Sequence, residues 1–342
     1  MIQNFILGGY TKRVNKGISS INFNPDKQNF SDSKLIATLD GPTFVALSED
    51  KSLLFAIHKE DDKGGIVAFR FTEGNWKEIS RAFGSKVPGC HVSFKETTRT
   101  LYVSNYHEGA VDVYQLDDAD QLNHVQSVKH EGSSVHENQK SSHVHFADMN
   151  NEQTKLYVCD LGTDIITTYQ IDEQGKLTLS SELKLEAGTG PRHLVLHPAK
   201  PLVYVIGELN STTTVLNIEN DGSLSVKQTV VNIPVDKVEK SAGAAIRLTS
   251  DACFLYTSSR FHNVITVFSV NKDNGELTKV QEIDTIGQIP RDFILDSTEK
   301  FVLVPHQDSD YISIFSRNSA TGELKFLNNE TKAPECVCIA SA

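Results

Sequence analysis

The chain has 342 residues, of which 39% are hydrophobic and 23% are charged, and its formal net charge at pH 7 is −11. This composition is ordinary for a globular protein with a sizeable core. The acidic balance argues against a nucleic-acid partner, because binding to a phosphate backbone requires a basic surface. A small anionic substrate remains compatible with it, since a local basic pocket can lie inside an acidic protein.

Cysteine usage and hydropathy indicate the compartment. The five cysteines form an odd set without a CxxC pair, which is typical of reduced thiols in the cytoplasm. The N-terminal segment MIQNFILGGYTKR lacks the basic region and long apolar run of a secretory signal. No run approaches the length of apolar sequence that a membrane-spanning helix needs. We therefore expect a cytoplasmic protein that does not associate with membranes.

A short apolar strand recurs seven times along the chain. Successive copies lie 47 to 55 residues apart, and most open with an aromatic residue: FILGG, FAIHK, YVSNY, YVCDL, YVIGE, YTSSR and LVPHQ. A second strand follows with alternating apolar residues, as in AVDVYQL and VITVFSV, and this alternation indicates a half-buried strand. A third strand follows a turn such as ENDGS or KDNGE, whose Asp-Gly or Asn-Gly pair suits a tight hairpin.

A further strand precedes the recurring strand in six copies, as in GCHVSFK and PRHLVLH. Four antiparallel strands in each repeat of about 50 residues are typical of a β-propeller blade. The copy that begins at residue 5 has no leading strand, and the segment PECVCIA at 334–340 has no hairpin after it. The sequence therefore predicts one all-β domain over residues 1–342, a seven-bladed β-propeller in which one blade combines the N- and C-terminal strands. This closure removes exposed sheet edges.

Two polar insertions interrupt the repeats, at residues 130–142 and 232–243. Both are predicted to be loops, because they combine turn-forming and charged residues without strand alternation. No segment of the chain shows helical periodicity, so the prediction contains no helix.

Charged residues collect at one end of the predicted strands. The start of the first strand lies beside the end of the second, because the two are antiparallel neighbours, so every blade presents both positions at one rim of the ring. The charged residues at these positions are His145, Arg192, Arg291 and Glu335 at first-strand starts and Lys59, Glu208 and Arg260 at second-strand ends. First strands line the channel of a propeller. We therefore expect Arg192 and Glu208, which belong to one blade, to meet at a water-filled channel mouth.

Two interpretations of this rim stay open. A channel has to be lined by something, and Arg192 and Glu208 can form a plain ion pair. The surplus of cations instead favours an anion-binding site that contains a carboxylate.

The histidine patterns are weaker signals. His143 and His145 have the spacing of two metal ligands but no third ligand, so no metal site is predicted; His193 alternates with leucines and is predicted to pack between blades.

Several of these segments carry a family resemblance. GPRHLVLHP, CDLGTDIITTYQID, LTSDACFLYTSSRFHNVITVF and PRDFILDSTEKFVLV resemble the seven-bladed propeller lactonase family, and the similarity covers nearly the whole chain. That family includes bacterial 6-phosphogluconolactonases and fungal carboxymuconate-cyclising enzymes. The resemblance implies a site on the channel rim, where family residues match His145, Arg192, Glu208 and Arg260. Arg247 falls on a position that is basic in many relatives.

The rim and the resemblance together predict an enzyme that hydrolyses a sugar lactone, with 6-phosphogluconolactone as the expected substrate and no metal or organic cofactor. In this hypothesis Glu208 or His145 acts as general base. Arg192 and Arg260 stabilise the tetrahedral oxyanion. The GxSxG motif of α/β-hydrolases is absent from the chain.

The substrate phosphate is expected to bind at Arg247 or Arg291, because arginine matches phosphate geometry with a planar fork of donors. Two other functions remain as alternatives at this point. One is a cycloisomerase that acts on a carboxylated diene acid with the same basic rim. The other is a non-catalytic propeller that binds a metabolite or a protein.

Overall fold

The computed structural model describes all 342 residues and consists of seven antiparallel sheets. The strands of the N-terminal half are β1 Gln3–Gly9, β2 Gly17–Asn24, β3 Asn29–Phe30, β4 Lys34–Thr38, β5 Val45–Leu47, β6 Leu53–Glu60, β7 Lys63–Thr72, β8 Asn75–Ser85, β9 His91–Lys95, β10 Thr100–Asn105, β11 Ala110–Leu116, β12 Leu122–Lys129, β13 Val144–Met149, β14 Lys155–Asp160, β15 Ile165–Ile171 and β16 Leu177–Lys184. Those of the C-terminal half are β17 Pro191–Leu196, β18 Leu202–Gly207, β19 Thr212–Ile218, β20 Leu224–Val231, β21 Ala242–Leu248, β22 Phe254–Arg260, β23 Val264–Val270, β24 Leu277–Asp284, β25 Ile294–Leu295, β26 Phe301–Pro305, β27 Tyr311–Arg317, β28 Leu324–Lys332 and β29 Cys336–Ser341.

Each sheet is one blade of a propeller. Blade 1 contains β29, β1, β2, β3 and β4, and blades 2 to 7 contain the remaining strands four at a time in chain order, from the innermost strand outward. The innermost strands of neighbouring blades contact each other around most of the ring, which leaves a central channel between them. The predicted seven-bladed propeller of four-stranded blades is therefore confirmed.

Blade 1 joins the two ends of the chain. Strand β29 pairs antiparallel with β1, so that Leu7 lies opposite Ile339 and Ile6 lies opposite Ala340. The predicted closure by an N- and a C-terminal strand is confirmed. Strand β1 pairs with β2 on its outer edge, and the closure adds β29 as a second neighbour on its inner edge.

The hydrophobic core is divided into seven clusters, and one cluster lies between each pair of adjacent blades. This division follows from the alternation along each strand, because successive side chains point to opposite faces of the blade and both faces meet a neighbour. Burial between blades therefore holds the ring together, and each cluster depends on the blades on both sides of it.

Buried tyrosines bridge three of the blade interfaces. Each tyrosine near the start of a second strand donates its hydroxyl to a glycine carbonyl in the outer hairpin of the next blade: Tyr102 to Gly175 at 2.9 Å, Tyr204 to Gly275 at 3.0 Å and Tyr256 to Gly322 at 2.7 Å. These glycines have φ angles of 75° to 80°, which other residues rarely adopt. The aromatic residues and the turn glycines of the repeat therefore meet in a hydrogen bond between blades.

Glutamines on the outermost strands bridge the same three interfaces. Each side-chain amide both donates to and accepts from the backbone of one leucine in the next blade: Gln126 with Leu177, Gln228 with Leu277 and Gln281 with Leu324. The amide thereby replaces a missing strand neighbour for that leucine. Such paired bonds satisfy backbone groups that would otherwise be left without partners between blades.

The two insertions differ from each other. Residues 130–142 form a loop, as predicted, and buried Asp164 holds it by accepting hydrogen bonds from Ser134 Oγ at 2.5 Å and Gln139 Nε2 at 2.7 Å. The prediction of a loop without helix over 232–243 is wrong in part, because Val235–Val238 form a single helical turn, α1, after Pro234. A proline just before a helix supplies a preset φ angle. No helix of the chain is long and apolar enough to span a bilayer.

The closure of blade 1 can be tested with a matched pair of leucines. Leu7 in β1 is 5% exposed and packs in the cluster between blades 7 and 1, whereas Leu179 in β16 is 58% exposed. We expect Leu7→Ala to lower the free energy of unfolding by about 2–5 kcal/mol, through lost burial and a residual cavity. We expect Leu179→Ala to change it by less than about 0.5 kcal/mol. Denaturant unfolding measures both; equal effects would contradict the closure described here.

Candidate functional site

A cavity of about 550 Å³ opens at one rim of the channel and is lined by residues from all seven blades. The predicted site residues that line it are His145, Arg192, Glu208, Arg260 and Arg291, together with Lys59. The antiparallel register of first and second strands thus brings residues that are far apart in sequence to one place.

Two of these side chains enter the cavity from β-bulges. In blade 5, Pro191 pairs with Gly207 and His193 with Ile206, so Arg192 is an extra residue in β17. His145 is likewise an extra residue in β13, between Val144 and Phe146. A bulge interrupts the alternation of side chains and re-aims the residue that it adds. This local irregularity at the start of the strand turns His145 and Arg192 towards the cavity.

Glu208 lies between two arginines. Its Oε2 atom is 2.9 Å from Nε of Arg192 and 2.7 Å from Nη2 of Arg260. Burial works to raise the pKa of Glu208, but Arg260, Arg192 and Arg291 together outweigh it and hold that pKa below the usual range. Glu208 is therefore ionised at neutral pH. Both ion pairs use Oε2, and Oε1 makes no hydrogen bond with the protein.

Arg192 is more deeply buried than the sequence suggested. The expectation of a water-filled rim is wrong for this side chain, which is only 2% exposed. Its Nη1 donates to the carbonyl of Ala244 at 2.6 Å and to Nε2 of His193 at 3.1 Å. Burial, followed by the nearby charges of Arg260 and Arg291, lowers the pKa of Arg192 to about 9. The guanidinium is thus fixed by its own blade and by blade 6.

Two neutral histidines complete this wall of the cavity. His193 accepts the hydrogen bond from Arg192, so its proton lies on Nδ1. Its ring centre is 5.2 Å from that of His145. Burial, and then the charge of Arg192, lower the pKa of both rings well below the ordinary value. Nδ1 of His145 is buried without a partner, which leaves Nε2 as the nitrogen on the cavity side.

His193 was not predicted as a site residue. Its alternation with Leu194 suggested packing between blades, but the bulge at Arg192 lets two consecutive residues both reach the cavity. The Pro-Arg step at the start of the strand does not reveal it, because a proline there is compatible with regular pairing as well as with a bulge.

Arg247 does not line the cavity. It lies further along β21, where its Nη2 forms an ion pair with Oδ1 of Asp292 at 2.7 Å. Asp292 itself is buried, lines the cavity and also accepts from the backbone N–H of Ile339. The expectation that Arg247 gathers with the other rim residues is therefore wrong. Its charge is used by Asp292, a partner from the next blade that the sequence pattern had not singled out.

Glu335 lies at the rim, beside the loop after β1, but does not line the cavity. Val337 lines the cavity instead, at an irregular step in the pairing of β29 with β1. The Glu335 carboxylate accepts hydrogen bonds from four consecutive backbone N–H groups, those of residues 12–15, at 2.8 to 3.1 Å. This contact fixes the loop after β1. Tyr10, Thr11 and Lys12 of that loop line the cavity.

Tyr106 and Cys90 of blade 3 line the cavity next to His145, and the Cys90 thiol donates to the His145 carbonyl at 3.3 Å. The ring of His143 stacks on Tyr106 with 4.2 Å between ring centres, and its Nδ1 is bonded to the Tyr106 carbonyl. No group of three or more His, Cys, Asp or Glu side chains is placed to hold a metal ion. Burial raises the pKa of the Cys90 thiol to about 11.

Comparisons with known proteins agree with this fold. Residues 4–341 match the family model described as "Lactonase, 7-bladed beta-propeller". The chain is 37% identical to the uncharacterised protein YwcC of Lactococcus lactis, with 99% of both chains covered. It is 34% identical to a 6-phosphogluconolactonase of Bacillus subtilis, with 97% and 96% covered. Among solved structures, the periplasmic gluconolactonase PpgL of Pseudomonas aeruginosa superposes with a TM-score of 0.94 at 26% identity, over 100% and 99% of the chains.

The contact of Glu335 with the loop predicts a pH-dependent stability. Burial disfavours the carboxylate, but the four N–H donors outweigh this and lower its pKa from the ordinary value of 4.5. A lowered pKa stabilises the fold above the ordinary value and loses this effect as pH falls through the lowered one. We therefore expect Glu335→Gln to be less stable than the parent at pH 7, with the difference shrinking below about pH 4.5.

Thermal unfolding at several pH values measures this difference. The control is Glu330→Gln, an exposed glutamate of β28 without a hydrogen-bonded partner, which we expect to match the parent at every pH. A difference between Glu335→Gln and the parent that stays constant from pH 7 to pH 3 would contradict the assignment.

Proposed function

Because the chain belongs to the seven-bladed β-propeller lactonase family, we propose that it hydrolyses a sugar lactone in the rim cavity, with 6-phosphogluconolactone as substrate. The observation that carries this proposal is the convergence of two fixed guanidinium groups and a neutral histidine on one cavity. Hydrolysis of a lactone requires a donor set for a developing oxyanion and a base for the attacking water. The location in the cytoplasm stays a prediction from cysteine usage.

The two arginines are suited to oxyanion stabilisation. Arg192 is held by Ala244, His193 and Glu208, and Arg260 is held by Glu208, so neither has to reorganise when negative charge develops on the lactone carbonyl oxygen. Donors that are fixed in advance in a buried site stabilise a transition state more than mobile ones in water. Nη2 of Arg192 makes no hydrogen bond within the protein and is the donor assigned to the oxyanion.

His145 is assigned as the general base. Glu208 is a weaker candidate, because its Oε2 is held by two guanidinium groups. His145 is neutral at pH 7, and its Nε2 has no partner in the protein. In the proposed reaction the water oxygen bonds to the acyl carbon and His145 Nε2 takes the proton. The acyl–oxygen bond of the ring then breaks, and the same proton passes to the ring oxygen.

Glu208 has a different part in this scheme. Its free Oε1 can accept a hydrogen bond from the attacking water while its Oε2 keeps both arginines in place. Glu208→Gln should therefore impair catalysis chiefly by releasing the arginines. The step uses only residues of this chain, water and the lactone.

The assigned roles predict distinct kinetic effects. We expect His145→Gln to lower kcat by roughly 100- to 10,000-fold, the usual contribution of a general base. Loss of one oxyanion donor typically lowers kcat by about 100- to 1,000-fold. We expect Arg192→Lys to show part of this fall in kcat, because lysine keeps the charge but not the planar fork of donors. The measurement is acid release from 6-phosphogluconolactone above the spontaneous rate, alongside melting temperature. The control is His124→Gln on outer strand β12, which should retain parental activity.

Folded His145 and Arg192 variants that hydrolyse the lactone as fast as the parent would overturn the catalytic assignment. A parent protein that does not accelerate hydrolysis of any sugar lactone would overturn the proposed function itself and favour a cavity used for binding alone.

The depressed pKa of His145 also predicts the pH profile. A base acts only in its deprotonated form, and a lowered pKa keeps His145 deprotonated throughout the neutral range. We expect kcat/KM, corrected for spontaneous hydrolysis, to be level from pH 6 to pH 8 and to fall only at more acidic pH. Initial rates across this range measure the profile. A midpoint at or above the ordinary histidine value of about 6.5 would contradict the assignment.

A further inference from the structure

The charged residues of the cavity fall into two groups by blade. His145, Arg192, Glu208 and Arg260 come from blades 4, 5 and 6. The other cations that line the cavity are Arg291 of blade 7, Lys12 of blade 1 and Lys59 of blade 2. Blades 7, 1 and 2 are consecutive in the ring, so these three cations occupy one continuous stretch of the wall. Arg291 lies at the end of that stretch next to the blade of Arg260, and its charge also acts on Glu208.

The two walls differ in how their charges are paired. Arg192 and Arg260 both contact the carboxylate of Glu208. On the other wall, none of the three side-chain cations makes an ion pair or a hydrogen bond within the protein. Lys12 makes a cation–π contact instead, with its Nζ 4.6 Å from the ring centre of Tyr10. The two lysines are exposed and Arg291 is half-buried. The cavity thus holds three uncompensated positive charges in a protein of net charge −11.

The backbone around the two lysines is fixed in advance. The loop that carries Lys12 is held by the carboxylate of Glu335, as described above. Thr11 Oγ1 donates to Oδ1 of Asp40 at 2.7 Å and accepts from the N–H of Gly41 at 3.1 Å. The N–H of Lys59 donates to the carbonyl of the same Asp40 at 3.2 Å. Lys12 and Lys59 are therefore positioned against one short segment, residues 40–41, although they come from different blades.

We propose that Arg291, Lys12 and Lys59 form a phosphate subsite, which binds the phosphate of a sugar-phosphate lactone while the lactone carbonyl lies at Arg192 and Arg260. This inference rests on the proposed function and adds the orientation of the substrate to it. A phosphate dianion is bound best by cations that lack a carboxylate partner. Arginine supplies a planar fork of donors and lysine supplies mobile point charges. On the opposite wall, Glu208 would repel the same group.

The subsite differs from the one expected from the sequence. Arg247 has Asp292 as its partner and does not line the cavity. Asp40 is the one carboxylate on the wall of the subsite that is not engaged by a cation; its Oδ1 accepts from Thr11. One carboxylate against three cations leaves a net positive wall, which favours a dianionic group over a neutral hydroxymethyl group.

The experiment compares two lactones that differ only in the phosphate. We expect Arg291→Gln, and the double variant Lys12→Gln with Lys59→Gln, each to lower kcat/KM for 6-phosphogluconolactone by about tenfold or more. The double lysine variant should leave kcat/KM for unphosphorylated gluconolactone within about twofold of the parent. Arg291→Gln, whose charge also acts on Glu208, should lose clearly more kcat/KM with 6-phosphogluconolactone than with gluconolactone. Lys63→Gln is the matched control, because it removes one exposed charge near Lys59 in the same blade but outside the cavity; it should leave both rates unchanged. Equal losses with both lactones would overturn the subsite.

A binding measurement separates failure of the subsite from failure of the proposed function. Calorimetric titration uses 6-phosphogluconate and gluconate as stable probes, with no catalysis involved. We expect the parent to bind 6-phosphogluconate at least tenfold more tightly than gluconate, and the variants to lose this preference. If the parent hydrolyses neither lactone but keeps the preference, the proposed function fails and the subsite stands. If the parent binds both probes equally, the subsite is overturned whatever the lactonase activity.

Discussion

Glu208 holds two buried guanidinium groups together, and the arrangement of the polar wall of the cavity depends on this contact. Arg192 is almost fully buried, and its pKa is lowered to about 9 by burial and by the neighbouring arginines. Without a carboxylate beside them, Arg192 and Arg260 would repel each other in a poorly hydrated place, and breaking such a pair is costly. The same contact that makes the burial possible also fixes the direction of both donors, so stability and preorganisation have one cause here.

The propeller explains why such a cavity forms at the rim. Each blade contributes the start of one strand and the end of the next to a common ring, so seven pairs of short segments supply side chains to a space that no single blade encloses. Bulges at Arg192 and His145 turn these residues inward, while the alternating apolar side chains of the strands pack in the clusters between blades. The blades can therefore remain similar in their core positions and differ at the rim, which allows one wall to carry an ion-paired group and the other to carry free cations.

The repeat itself made the fold predictable. The spacing of the aromatic strands gave seven blades, and the strand without a leading partner gave the closure, because both depend on local periodicity and on the count of strands. The meeting of Arg192 with Glu208 followed from antiparallel neighbours. What the sequence could not show is where pairing becomes irregular. The bulge beside His193, the shifted position of Val337 relative to Glu335, and the capture of Arg247 by Asp292 all depend on contacts between strands or blades. Helix α1 was not predicted, because its four residues make about one turn and are too few to show a helical pattern of apolar residues.

The pairing of β29 with β1 also sets an order of events during synthesis. Strand β1 leaves the ribosome more than 300 residues before its inner partner β29, so throughout that interval Phe5, Ile6 and Leu7 lack the strand that covers them. At about 5–20 residues per second, this interval lasts on the order of tens of seconds for a chain of this length. An apolar strand with an open edge is prone to pair with other chains. The nascent protein is therefore most vulnerable to aggregation through the strand that later closes the ring. Slower translation would increase this aggregation, and a chaperone that covers β1 would reduce it.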